Sequence, residues 1–129
     1  MSNRPPDRPI LVVDDDPTIL ATVSEALDLE GFPVVTATNG AEALDEVTRH
    51  RPSLVLLDMR MPVLDGWDFM RAVRERGLTL TVVVMTAAAD ASRWGREIGA
   101  QAVLAKPFEL DELVRAVEQV WQPRPCPEV

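Results

Sequence analysis

Five short apolar runs, at residues 10–13, 33–37, 54–57, 82–85 and 102–105, alternate with longer stretches whose apolar residues recur every three or four positions. The first pattern is that of buried strands and the second that of amphipathic helices. Asp16-Pro17 reads as an N-cap and first helical residue, because proline lacks only an amide that a helix leaves unpaired there anyway. Ile19, Leu20, Val23, Ala26 and Leu27 then follow at helical spacing, and Gly31 suits a left-handed terminating position. A helix over 40–50 is entered through Asn39 and turns Ala43, Leu44 and Val47 inward. A loop holding Met61-Pro62 and Asp65-Gly66 leads to a helix over 67–76, and a shorter helix over about 91–98 ends at Gly99. The last helix, 110–121, aligns Leu110, Leu113, Val114, Val117, Val120 and Trp121 on one face.

Strand–helix alternation with right-handed crossovers builds an α/β fold, an open doubly wound parallel sheet with helices on both sides. A chain of 129 residues fits one domain, expected at 9–121. Residues 1–8 are expected to be a disordered lead without the apolar core of a secretory signal, and 122–129 a Pro-rich flexible tail. No apolar stretch approaches the ~20 residues of a membrane helix, so no membrane partner is expected. The net charge of −8 argues against a nucleic-acid binder. Cys126 is the lone cysteine and has no internal partner, so a reducing cytoplasm is the expected location.

The chemistry sits where the apolar runs stop. Residues 10–13 run into Asp14, Asp15 and Asp16; 54–57 stops at Asp58; 82–85 at Thr86; and 102–105 at Lys106, the only lysine in the chain. In a parallel α/β sheet the C-terminal strand ends are where ligands bind. Neighbouring strands would therefore gather carboxylates, a hydroxyl and an ammonium at one edge. Asp14, Asp15 and Asp58 held together cannot all stay ionised unaided. A hard divalent cation such as Mg2+ resolves the conflict and leaves room for a substrate phosphate. Asp58 then has the attributes of a nucleophile forming an acyl phosphate, with Thr86 donating a hydroxyl hydrogen bond and Lys106 a point charge to the phosphoryl oxygens.

Several residues read more plainly. Asp16 is a helix cap, His50 a solvated partner of a helix C-terminus, and the acids of 42–46 and 111–118 are solvated helix faces. Trp67, Trp94 and Trp121 serve packing or a partner surface, and Cys126 is a bystander.

From 9 to 121 the chain resembles the receiver domain of two-component response regulators. The resemblance rests on Ile10-Leu-Val-Val-Asp-Asp-Asp16, Leu54-Val-Leu-Leu-Asp-Met-Arg-Met-Pro62, Asp65-Gly66, Val84-Met-Thr-Ala87, Gly99-Ala100 and Lys106-Pro-Phe108, in this order and spacing. It implies a flavodoxin-like fold with strand order 2-1-3-4-5. It implies that Asp58 is phosphorylated by a sensor histidine kinase or a histidine phosphotransfer protein, and that the domain catalyses no other reaction. Asp14, Asp15, Asp58 and the backbone carbonyl of Arg60 would hold Mg2+ or Mn2+; Thr86 and Lys106 would contact the phosphoryl group; Lys106-Pro107 would be a cis peptide. Switching would repack a partner surface including Trp94, Val103, Lys106 and Pro107, toward a downstream protein, in a monomer or weak phosphorylation-dependent dimer. The family often carries an aromatic where this chain has Val103, whose branched side chain has little to swing, which shifts attention to Trp94.

A rival reading comes from Asp14-Asp15-Asp16-Pro17-Thr18, which matches the opening motif of haloacid-dehalogenase-like phosphatases. It would make Asp14 the nucleophile and Asp16 the acid/base. It leaves Asp58 without a role, and no acidic pair follows Lys106 at a strand end.

Overall fold

In the computed structural model, which describes residues 8–60 and 63–121, five strands and five helices alternate along the chain. The strands are β1 (Ile10–Val13), β2 (Val34–Ala37), β3 (Leu54–Asp58), β4 (Val82–Ala87) and β5 (Ala102–Lys106). The helices are α1 (Pro17–Leu29), α2 (Gly40–His50), α3 (Gly66–Glu75), α4 (Ala88–Ile98) and α5 (Leu110–Val120). All strand pairs are parallel, in the order β2-β1-β3-β4-β5. This is the doubly wound arrangement expected from the alternation.

The strand period of two divides the core. Leu11, Val13, Val55, Leu57, Val82 and Val84 face α2, α3 and α4, where Ala43, Val47, Phe69, Val73, Trp94 and Ile98 meet them. Ile10, Val12, Leu54, Leu56, Val83, Met85 and Leu104 face α1 and α5, against Leu20, Val23, Leu27, Leu113 and Val117. The three inner strands are therefore apolar on both faces, while β2 and β5 carry exposed positions as edge strands. None of the helices among the described residues is long and apolar enough to cross a membrane.

The helix starts follow from local chemistry. The Asp16 side chain accepts the Thr18 N–H at 2.9 Å, Asn39 accepts from Glu42 N–H at 2.9 Å, and Asp65 accepts from Asp68 N–H at 2.9 Å. The Asp65 cap starts α3 at Gly66, one residue before the expected start. Strand β4 continues through Thr86 to Ala87 and passes directly into α4. That helix begins near three residues earlier than the apolar spacing suggests. Alanines at 87–89 carry no periodic signal yet are strong helix formers. Strand β3 likewise takes in Asp58, and β5 takes in Lys106, so both chemical residues are the last of their strands. Arg8, at the end of the expected disordered lead, donates from Nε to the Arg51 carbonyl at 3.3 Å. Met61 and Pro62 of the β3–α3 loop, and the 1–7 and 122–129 segments, lie outside the described residues.

One close approach ties this loop to α2. The Gly40 N–H donates to the Leu64 carbonyl at 3.1 Å, and a Cβ on Gly40 would collide with that same carbonyl and with Leu64 Cβ. Replacing Gly40 by alanine is expected to cost about 1–3 kcal/mol. Chemical denaturation of Gly40→Ala checks this, and an unchanged midpoint refutes the contact.

Candidate functional site

The site is built where β1, β3, β4 and β5 end. In the parallel register Val13 pairs with Leu57, Asp58 with Met85, Thr86 with Ala105 and Ala87 with Lys106. Asp14, one residue beyond β1, thereby stands beside Asp58, with Thr86 and Lys106 on the next strands. Carboxylate oxygens of Asp14, Asp15 and Asp58 all lie within 4.8 Å of one another. Lys106 Nζ is 2.8 Å from Asp14 Oδ2 and 3.8 Å from Asp58 Oδ2. Four groups from three distant stretches of sequence thus share one pocket.

Each is oriented differently. Asp14 is fully buried (0% exposed), and its Oδ1 accepts the Asp16 N–H at 2.9 Å while Oδ2 takes the lysine. Asp58 is 5% exposed and accepts a 3.3 Å hydrogen bond from the Arg60 N–H. Thr86 is buried at the end of β4, and Asp15 is exposed at the mouth. Lys106 leads into a cis peptide with Pro107, as the resemblance implies. Asp16, by contrast, is committed to capping α1 and stands outside the carboxylate cluster. The phosphatase reading needs Asp16 as an acid/base beside Asp14, whereas here its Oδ1 is engaged by the Thr18 N–H.

Electrostatics single out Asp58. Burial, then the Asp14 carboxylate beside it, push its carboxyl up to about 6; the Lys106 ammonium and the Arg60 N–H pull the other way, and Asp15 adds a smaller upward push. Lys106 therefore offsets only part of the crowding. The remaining repulsion, with oxygens of three carboxylates inside 4.8 Å, fits a hard divalent cation, which takes oxygen ligands. The donor set is all oxygen, with no thiolate or imidazole, as such an ion requires.

The expected partner-surface residues divide. Val103 is 38% exposed, Pro107 is exposed and Lys106 is half-buried. Trp94 is instead 6% exposed, its ring edge-on to Trp67 with centroids 4.8 Å apart, and it belongs to the core under α4. It can support a partner surface but offers little area of its own.

Other residues hold interactions that the sequence reading missed. The Arg60 guanidinium lies 5.1 Å from the Trp94 ring centre and 3.9 Å from Asp90 Oδ2. Nothing in residue spacing announces that contact, since Arg60 and Trp94 come from different elements. Glu42, read as a solvated acid, accepts from both the N–H and the hydroxyl of Thr38, at 2.7 and 2.8 Å. These bonds, the backbone one foremost, hold its carboxyl below the usual value. Glu109 and Glu112 form a reciprocal capping box on α5, which their spacing of three could have signalled.

Comparison with known proteins agrees with this geometry. Residues 10–118 match the response regulator receiver domain family. The chain is 44% identical over 117 residues to the transcriptional regulatory protein PrrA of Mycobacterium tuberculosis, covering 89% of this chain and 50% of that protein. It is 39% identical over 112 residues to sporulation initiation phosphotransferase F of Bacillus subtilis, covering 85% of this chain and 90% of that one. Among solved structures, chemotaxis response regulator CheY4 of Vibrio cholerae superposes with a TM-score of 0.79 at 31% identity, over 88% of this chain and 98% of that one. The receiver domain of NtrX from Brucella abortus gives 0.79 at 30% identity, over 87% and 97%. The chain spans about half the length of the PrrA relatives it matches.

The raised Asp58 value has a stability consequence whose sign is fixed. The fold binds this proton more tightly than the unfolded chain does, so without metal the stability from this group falls as pH rises from 3.8 to about 6, and is flat above. Asp58→Asn removes the penalty and is expected to stabilise the metal-free protein at pH 7 by about 1–3 kcal/mol, with little gain at pH 4. Denaturant titrations at the two pH values test this; equal effects at both would refute the burial account.

Proposed function

Because this chain belongs to the response-regulator receiver family, we propose that it is a phosphorylation-operated switch in which Asp58 accepts a phosphoryl group from a phosphohistidine. The donor is a sensor histidine kinase or a histidine phosphotransfer protein. The observation that carries this reading is the position of Asp58: last residue of a central strand, within 4.8 Å of two further carboxylates and 3.8 Å from the chain's only ammonium side chain.

Asp14, Asp15, Asp58 and the backbone carbonyl of Arg60 are the ligands we assign to Mg2+ or Mn2+, which when bound supplies positive charge to the phosphoryl oxygens. The chain's own groups do the rest. A carboxylate oxygen of Asp58 forms a bond to phosphorus while the P–N bond of the donor breaks, and the imidazole nitrogen keeps the electron pair. Lys106, tethered by Asp14 within reach of Asp58, meets the incoming charge with a point cation. Thr86 donates its hydroxyl to a phosphoryl oxygen, and that demand on a buried side chain links the site to β4. The chemistry ends on the protein's own aspartate.

The output is a change of protein contacts on the surface carrying Val103, Lys106 and Pro107, with Trp94 supporting it from below. We place the working unit at 9–121, as a monomer or weak phosphorylation-dependent dimer in the cytoplasm, with residues 1–8 and 122–129 as lead and tail and no direct contact to nucleic acid or membrane. The burial of Asp14 and the capping role of Asp16 favour this reading over a phosphatase that uses both.

Incubation with acetyl phosphate and Mg2+, followed by peptide mapping, decides the matter. The expected result is one phosphoryl group per chain on Asp58, lost in Asp58→Asn and decaying slowly. Repeated turnover through Asp14 would overturn the proposal and restore the phosphatase.

A further inference from the structure

Arg60 links the loop after β3 to α4, the helix that follows the neighbouring strand β4. Its backbone N–H holds Asp58 Oδ1 at 3.3 Å, while its side chain leaves the site and spreads over α4. There the guanidinium covers the Trp94 ring at 5.1 Å and approaches Asp90 Oδ2 at 3.9 Å. The Trp94 ring is also braced by Trp67, which packs on it edge-on and whose Nε1 donates to Glu97 Oε1 of α4 at 3.1 Å. Trp94 of α4 thus meets the acceptor loop through the Arg60 guanidinium, with Arg93 of its own helix a second cation at 5.9 Å.

The hold is weak and replaceable. The Arg60 side chain is 75% exposed and its ion pair is long, a combination that water and salt screen heavily. Asp90 does not depend on it, because Arg93 of the same helix donates to Asp90 Oδ1 at 3.0 Å. Stacking of this exposed guanidinium on the Trp94 ring adds only a modest further attraction. Against this stands a phosphoryl group with about −1.5 to −2 charges, carried by the residue to which the Arg60 backbone is bonded. Guanidinium forms paired, charge-assisted hydrogen bonds with phosphate, stronger than one long contact to a carboxylate.

We propose that Arg60 is a latch between the phosphoryl site and α4. With Asp58 unmodified it rests on Trp94 and Asp90; with Asp58 phosphorylated it turns to the phosphoryl oxygens, uncovering the Trp94 ring and untying the first turns of α4. The signal reaches α4 along one side chain, on a route outside β5. This inference rests on Asp58 being the phosphoacceptor.

The test follows tryptophan emission of the full chain during reaction with acetyl phosphate and Mg2+, with intact mass recorded on the same samples. The acetyl phosphate P–O bond breaks, acetate leaves, and the chain gains one phosphoryl group. Emission is expected to change in step with that gain. Trp94→Phe should remove the change. Arg60→Ala should begin near the phosphorylated spectrum and respond at least several-fold less at equal phosphorylation. Arg93→Ala, whose arginine also lies 5.9 Å from the Trp94 ring but belongs to α4 itself, should keep the response. A full mass gain with unchanged Trp94 emission, or with an equal response in Arg60→Ala, overturns the latch and leaves the phosphoacceptor reading intact. No mass gain on Asp58 overturns both.

Discussion

Three carboxylates confined within 4.8 Å of one another are the constraint around which this molecule is arranged. Such crowding is unfavourable in any fold, and here one member, Asp14, is withdrawn from water altogether. Lys106 answers it from another strand and reaches Asp14 at 2.8 Å. The balance is incomplete, as the upward displacement of Asp58 records. A site left with excess negative charge but furnished with an ammonium is prepared for a cation and an anionic oxygen together, and poorly suited to either alone.

The sheet makes this confinement affordable. Three inner strands apolar on both faces give a rigid platform, and their parallel register delivers Asp14, Asp58, Thr86 and Lys106 to one edge. Backbone amides then finish the orientation: the Asp16 N–H fixes Asp14, and the Arg60 N–H fixes Asp58. Of the three carboxylates, Asp15 alone is exposed, at the mouth. The charged groups are held by elements whose own stability comes from packing elsewhere.

How much of this was legible beforehand depended on the kind of interaction. Apolar period and cap residues are local, so strands, helices and the caps at Asp16 and Asn39 could be read directly. The clustering of Asp14, Asp58, Thr86 and Lys106 could be read because a parallel sheet aligns its strand ends. The start of α4 was obscured because alanines lack periodicity. Trp94 was harder still: an aromatic at helical spacing can face a partner or the core, and the edge-on contact with Trp67 that buries it joins separate helices. The contact of the Arg60 side chain with Trp94 lay furthest out of sight, since the backbone of the same residue, already expected at the site, serves a different neighbour.

The solitary lysine has a practical corollary. Every other basic side chain in this protein is an arginine or the single histidine, so the one ε-amine is the group clasped between Asp14 and Asp58. Apart from the α-amino group, amine-directed acylation has nowhere else to go. The speed of such labelling becomes a gauge of how tightly the pocket grips its ammonium. Conversely, lysine-targeted cross-linking of assemblies containing this chain sees almost none of its surface, and guanidinium- or carboxylate-directed reagents are the chemistry to choose for mapping its neighbours.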